Sequence, residues 1–131
     1  MAQTNLNTNA NINGFDTGVE SIVIMNYIEG IPGGRSLNVE EFAPSVIKAG
    51  HVVIKETATG DYKPMPVTSD DKAYESLPSG HTVEGVVVSS AVKELAMVGI
   101  MVRGSVNVNA SPYPVTDAIK QALPLIRFTQ D

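Results

Sequence analysis

The stretch that decides the fold runs from residue 51 to residue 67 and has the sequence HVVIKETATGDYKPMPV. Its first part, His51-Val-Val-Ile-Lys55, is apolar and β-branched, which favours a strand. Thr57-Ala-Thr-Gly-Asp61 predicts a turn. Tyr62-Lys-Pro-Met-Pro-Val67 predicts a returning edge strand, because its two prolines cannot donate to a β-ladder. We therefore expect a β-hairpin over this stretch.

Short strands and turns also follow the hairpin. Apolar or alternating runs predict strands over residues 82–88, 95–102, 104–109 and 125–128. The segment 70–74 is compatible with one helical turn, and Thr116 can cap a short helix over residues 117–123. The expected fold class is mainly β with a minor α+β character, a small β-barrel or sandwich carrying one or two short helices.

The N-terminal part has a different composition from the rest. Residues 1–14 are mostly Asn, Thr, Ala and Gly, and they bury too little apolar surface to offset the entropy of ordering. We expect an extended, flexible arm over residues 1–20 and a single β-rich domain over residues 21–131. Such an arm is either a terminus without a role or a segment that becomes ordered on a partner, and both interpretations stay open.

An apolar run, Ile22, Val23, Ile24 and Met25, follows the arm. It suits a strand that is buried on both faces or added to another protein's sheet, and an uncovered run of this kind is prone to aggregate. Residues 29–34 then hold three glycines and a proline, which predicts a loop that separates this strand from the main body. The run Ile22–Met25 is therefore the candidate binding segment, detachable from the body.

Composition excludes several classes of partner. The 131 residues are 43% hydrophobic, which suffices for one core, and a net charge of -5 repels nucleic-acid phosphates and anionic membranes. No nucleic-acid or membrane partner is expected. The start of the chain lacks the features of an export signal, so we expect synthesis in the cytoplasm without export. With no cysteine, disulfides and thiolate chemistry are absent.

Residues suited to catalysis are sparse. His51 and His81 each follow a glycine at the start of a predicted strand, a position that is usually solvated. The adjacent carboxylates in Glu40-Glu41 and Asp70-Asp71 point away from each other and are expected to be solvated charges or caps. GxSxG, HExxH and CxxC motifs do not occur. We expect no enzyme activity, no catalytic residue, no cofactor and no metal.

Several segments carry a resemblance to a known family. They are Ile47-Lys-Ala-Gly-His-Val-Val-Ile-Lys55, Gly60-Asp-Tyr-Lys-Pro-Met65, Gly80-His-Thr-Val-Glu-Gly-Val-Val-Val88, Gly99-Ile-Met-Val-Arg-Gly-Ser-Val106 and residues 117–128. In this order, over roughly residues 40–128, the chain resembles the head decoration and head fibre proteins of tailed bacteriophages. These are packing and turn motifs without a chemical signature.

The resemblance implies a lambda-like decoration fold and a virion structural protein that binds the outer surface of a phage capsid and stabilises the shell. It implies the major capsid protein as partner, a homotrimer, and a place on the capsid surface after synthesis in the host cytoplasm. It also implies that an N-terminal segment adds a strand to the capsid protein, a role that falls here on Ile22, Val23, Ile24 and Met25. The alternative is a head-fibre adhesion module that binds carbohydrate or a host surface through Tyr62, Tyr74 and Tyr113.

Overall fold

The computed structural model describes residues 20–130, so the arm expected over residues 1–20 lies outside the described residues except for its last position. Strand is far more frequent than helix, and the expected mainly β class is confirmed. The helices are α1 (Glu20–Val23) and α2 (Asp117–Ala122), with 3-10 turns at Lys93–Leu95 and Val108–Ala110. The strands are β1 (Ile24–Gly30), β2 (Arg35–Ser36), β3 (Val46–Ile47), β4 (Val52–Glu56), β5 (Tyr62–Pro64), β6 (His81–Val87), β7 (Ala91–Val92), β8 (Met97–Val98), β9 (Ile100–Asn107) and β10 (Ile126–Thr129).

Six strands form the main sheet, in the order β1-β9-β6-β4-β5, with β10 parallel to β9. Met101 pairs with Gly30 of β1 and with Val86 of β6, so β1 and β6 lie on opposite edges of β9. Because Gly104 pairs with both Tyr27 and β10, strand β10 shares the β6 side. Two small ladders, β2–β8 and β3–β7, lie apart from this sheet, and the sheets do not close into a barrel.

The predicted hairpin is present as β4 and β5. Their antiparallel register pairs Val53 with Pro64 and Lys55 with Tyr62. The turn ends at Gly60, which adopts a φ of 80° and donates its amide to the Glu56 carbonyl at 2.8 Å. A positive φ at the turn is easiest for glycine, which explains why the chain reverses here.

Both faces of the central strands are buried. Val52, Val86 and Met101 contribute to one apolar cluster together with Ile119 of α2, while their neighbours Val53, Val87 and Ile100 contribute to a second cluster. Side chains alternate across a strand, so neighbouring residues supply opposite faces. Burial on both faces explains why β4 is a continuous apolar run. One of the two faces is covered by α2.

The predicted C-terminal helix is confirmed as α2. Thr116 caps it, because its Oγ1 accepts a hydrogen bond from the Ile119 amide at 3.3 Å. The segment 70–74, in contrast, forms no helix. Asp71 there adopts a φ of 60°, and Tyr74 forms an isolated bridge with Val67. The predicted strand over 95–102 is divided, since a 3-10 turn occupies Lys93–Leu95 and two strands follow.

Two expectations about the N-terminal run are wrong. Ile22 and Val23 belong to the helical turn α1, and the strand begins at Ile24. The loop after Gly30 does not separate this strand from the body either, because β1 pairs along β9 from Ile24 to Gly30. One helical turn directs Val23 into the core while Ile22 faces solvent, a geometry that an apolar run by itself does not reveal.

Candidate functional site

The candidate site is β1, and Val23 fixes where it starts. Val23 is 1% exposed, and its Cγ1 occupies the place where a side chain on Gly50 would begin. Gly50 has a φ of 89°, a conformation that favours glycine, and so leaves this space open. Ile24, the next residue, is half-buried against the first apolar cluster and pairs with Val106. The chain is therefore anchored just before β1 turns outward.

The remainder of β1 is exposed. Met25, Tyr27 and Ile28 are 43%, 52% and 58% exposed, and Ile22 in α1 is 52% exposed. Apolar side chains of this size are usually buried. Four exposed ones within seven residues form a contiguous apolar patch, whereas single exposed apolar residues are common on any protein surface. We call these four residues the apolar edge. It lies beside an unpaired strand edge, because no strand within residues 20–130 pairs with β1 on the side away from β9.

The other end of the main sheet is protected. Strand β5 has three residues, one of them Pro64, and the Tyr62 carbonyl accepts a hydrogen bond from the Asn38 amide at 2.8 Å. Proline, lysine and short length are the usual ways in which proteins block edge-to-edge pairing. Strand β1 has seven residues without proline or lysine, and Glu29 is its one charge. As far as residues 20–130 show, the edge of β1 therefore lacks the features that block strand addition.

Contacts from within residues 20–130 shape this edge without covering it. The Tyr27 ring extends along the strand toward Gly30, and its hydroxyl lies where a side chain on Gly30 would stand. The Thr129 hydroxyl contacts the Met25 sulfur at 3.4 Å. Register shifts between Ile24 and Asn26 and between Tyr27 and Glu29 mark bulges. Bulges change the direction of side chains, which explains why the exposed residues do not alternate simply.

The four binding residues expected from the sequence do not share one environment in the structure. Ile22 and Met25 belong to the apolar edge, whereas Val23 lies in the core and Ile24 packs against it. Tyr27 and Ile28 were missed. Asn26 interrupts the apolar run, and only the pairing of β1 with β9 shows that the exposed surface continues past it. The sequence signal that could have indicated Tyr27 and Ile28 was their position between an apolar run and a glycine-rich loop.

The expectation that both histidines are solvated is wrong for His51. Its ring is 1% exposed, contacts the rings of Phe42, Tyr74 and Tyr113 edge-on, and places Nε2 2.9 Å from the Met65 carbonyl. A carbonyl only accepts, so Nε2 carries the proton. Burial lowers the pKa of His51 to about 4, against smaller opposing effects of the Met65 hydrogen bond and the Asp71 charge. An enclosed neutral imidazole of this kind supports packing.

The other aromatic residues of this cluster are held by hydrogen bonds. The Val52 amide donates to the Tyr74 hydroxyl at 3.1 Å, and the Tyr113 hydroxyl donates to the Asp71 carboxylate. Burial raises the pKa of both tyrosines. Of the three tyrosines expected to serve adhesion, Tyr74 is therefore buried and Tyr113 is bound to its own chain. Tyr62 is half-buried with Arg35 and Lys55 against its ring.

His81 belongs to a small charged group at the start of β6. The Lys63 ammonium lies 2.6 Å from the Glu56 carboxylate, and His81 Nε2 lies 4.0 Å from the same oxygen. The hydrogen bond from Lys63 lowers the pKa of Glu56 and raises that of Lys63. These groups lie at the surface, where such pairs contribute little to stability.

A cavity of about 150 Å³ lies beside this group, lined among others by Glu41, Phe42, Pro66 and His81. Pockets for small molecules usually have roughly 300 Å³ or more, and a second, more open cavity of about 430 Å³ beside Tyr62 exceeds this volume. Within residues 20–130, no three His, Asp or Glu side chains are placed to share a metal ion. The same part of the chain contains no helix with the length and apolar character needed to cross a bilayer.

Comparison with known proteins adds no relative. No protein-family model, no curated protein and no solved structure matches the chain.

Proposed function

We propose that this protein is a capsid decoration protein that binds the outer surface of a phage shell without catalysing a reaction. The observation that carries the proposal is the open edge of β1, an unblocked strand that contains three of the four apolar edge residues. A partner strand placed there would complete hydrogen bonds along β1 and cover these side chains, which is the physical basis of β-augmentation. The resemblance of the segments between residues 40 and 128 to decoration proteins supplies the class of partner.

Stabilisation of the shell would follow from mass action. A protein that binds the mature, expanded shell better than its precursor shifts the equilibrium toward the expanded form. This role needs a surface and a stable domain, and no reacting group.

The adhesion alternative has less support. Carbohydrate-binding surfaces usually present exposed aromatic faces. Tyr74 is 8% exposed, and the hydroxyl of Tyr113 is bound to Asp71. The exposed Tyr27 lies within the apolar edge, where it serves strand addition equally well. We therefore retain capsid binding as the proposal.

Co-sedimentation with empty, expanded shells of the phage that encodes the chain tests the proposal. Ile28→Asp places a charge in the apolar edge and should weaken binding at least tenfold, while thermal melting stays near that of the wild type. Leu77→Asp is the matched control, because Leu77 is an exposed aliphatic residue of the same size as Ile28 but lies in the loop before β6. If wild type fails to bind the shells, the function is wrong, and if Ile28→Asp binds normally, β1 is not the contact.

A further inference from the structure

The face of the sheet beside β1 carries positive charge on an acidic protein. Register and exposure place five residues on the side of β1, β9 and β10 that points away from the core. These residues, which we call the basic face, are Asn26, Glu29, Arg103, Ser105 and Arg127. Their alternate neighbours Gly104, Val106 and Ile126 are buried, which fixes the direction of both faces.

Two of the three arginines of the chain lie on this face. Glu29 is the one carboxylate in the three strands, and it lies 4.0 Å from Arg103 with both side chains more than half exposed. Such a pair contributes little and leaves most donors of Arg103 available to another partner. Arg127 has no ion-pair partner among residues 20–130.

The third arginine shows the contrast. Arg35 donates to the Pro32 and Gly34 carbonyls, at 3.1 Å and 2.6 Å, and lies over the Tyr62 ring. Its guanidinium is therefore used within its own domain. Among the described residues, Arg103 and Arg127 have no comparable hydrogen bonds or ring contacts. The net charge of the chain is nevertheless -5. A positive face on such a chain complements an acidic partner.

We propose that the segment which adds to β1 is acidic, with carboxylates directed over the basic face. This inference rests on the proposed strand addition at β1. Strands in a sheet are about 4.8 Å apart, so an added strand lies roughly 10 Å from β9, a gap that an arginine and a glutamate side chain can bridge together. Arg103 would make the direct contact, as guanidinium groups bind carboxylates in a bidentate manner. Arg127, one strand further away at roughly 14 Å, lies beyond the Debye length of about 10 Å, so its field would contribute only a small part of the preference.

Synthetic peptides test the inference without the shell. Three ten-residue peptides of alternating Val and Thr would carry three Glu, three Gln or three Lys on one face, and their binding to the full chain would be followed by NMR. The Glu peptide should shift the amide signals of β1 and bind at least fivefold tighter than the Gln peptide, with the Lys peptide weakest. Added salt should reduce the difference.

Two variants and one control locate the effect. Arg103→Gln should remove most of the preference for the Glu peptide, and Arg127→Gln should remove a smaller part. Lys72→Gln removes an exposed cation in the loop between β5 and β6 and should leave the preference unchanged. Equal binding of all three peptides at β1 would overturn the acidic partner while keeping strand addition. Absence of binding by any peptide would overturn both, and a preference that survives Arg103→Gln would overturn the assignment to this face.

Discussion

Val23 fills the space that the absent side chain of Gly50 leaves open, and this contact joins the N-terminal segment to the core. A charge at residue 23 would be buried without a partner, which costs several kcal/mol. We therefore expect Val23→Asp to lower the free energy of unfolding by about 3 kcal/mol or more, measured by urea denaturation. Ile22→Asp is the control, since Ile22 is exposed, and it should change stability by about 0.5 kcal/mol at most. Equal stability of the two variants would contradict the anchoring role.

Gly50 allows a complementary test. Alanine at Gly50 meets both an unfavourable φ and the Val23 side chain, whereas alanine at Gly60 meets a similar φ with open space around it. The left-handed conformation alone costs about 1–2 kcal/mol. Gly50→Ala should therefore lower the free energy of unfolding clearly more than Gly60→Ala. In a double-mutant cycle, Val23→Ala should reduce the penalty at Gly50, and additive effects would show that the two residues do not interact.

The Tyr74 hydroxyl supports the start of β4. It accepts the hydrogen bond of the buried Val52 amide, so Tyr74→Phe should leave that donor unpaired at a cost of about 1–3 kcal/mol. Tyr62→Phe removes a hydroxyl from a half-buried ring that keeps its contacts with Arg35 and Lys55, and it should be nearly neutral. Thermal denaturation compares the two variants, and a neutral Tyr74→Phe would refute the role of the hydroxyl.

Local chemistry explains which parts of the fold were predictable. The β4–β5 hairpin and α2 depend on short-range signals, namely prolines, a turn glycine and the Thr116 cap. His51 depends on three rings distant in sequence, and its burial could not be read from the glycine before it. The apolar edge was found in part, because an apolar run shows that a segment is unusual but not which side chains turn inward. That choice follows from the α1 turn and the pairing with β9.

Oligomerisation is a separate expectation. The resemblance to decoration proteins implies a homotrimer, and the large exposed side chains, which also include Leu95, Met97 and Leu125, leave apolar surface for subunit contacts. Sedimentation velocity at several concentrations should show a species three times the mass of the chain. A strict monomer both in solution and on shells would refute the trimer.

His51 gives the folded protein a sensitivity to acid. The neutral ring fits its site because Nε2 donates to the Met65 carbonyl and three aromatic rings surround it. Asp71, which also accepts a hydrogen bond from Tyr113, is the charged group whose field favours protonation of the ring. Burial outweighs this field, so the native state resists taking up the proton.

The pKa of His51 is about 4 in the folded protein and 6.5 in the absence of structure, so the unfolded chain binds more protons between these values. Titration of His51 therefore leaves the free energy of unfolding unchanged above pH 6.5. Toward pH 4 it lowers that free energy by about 1.4 kcal/mol per pH unit, about 3 kcal/mol in total. Below pH 4 both states are protonated and the loss stops. Urea denaturation from pH 7.5 to 4 measures the slope, and His51→Gln, which retains a donor for Met65, should be less stable at pH 7 but flatter over this range. If the wild type and His51→Gln lose stability in parallel as the pH falls, burial does not lower the pKa of His51 in the folded protein.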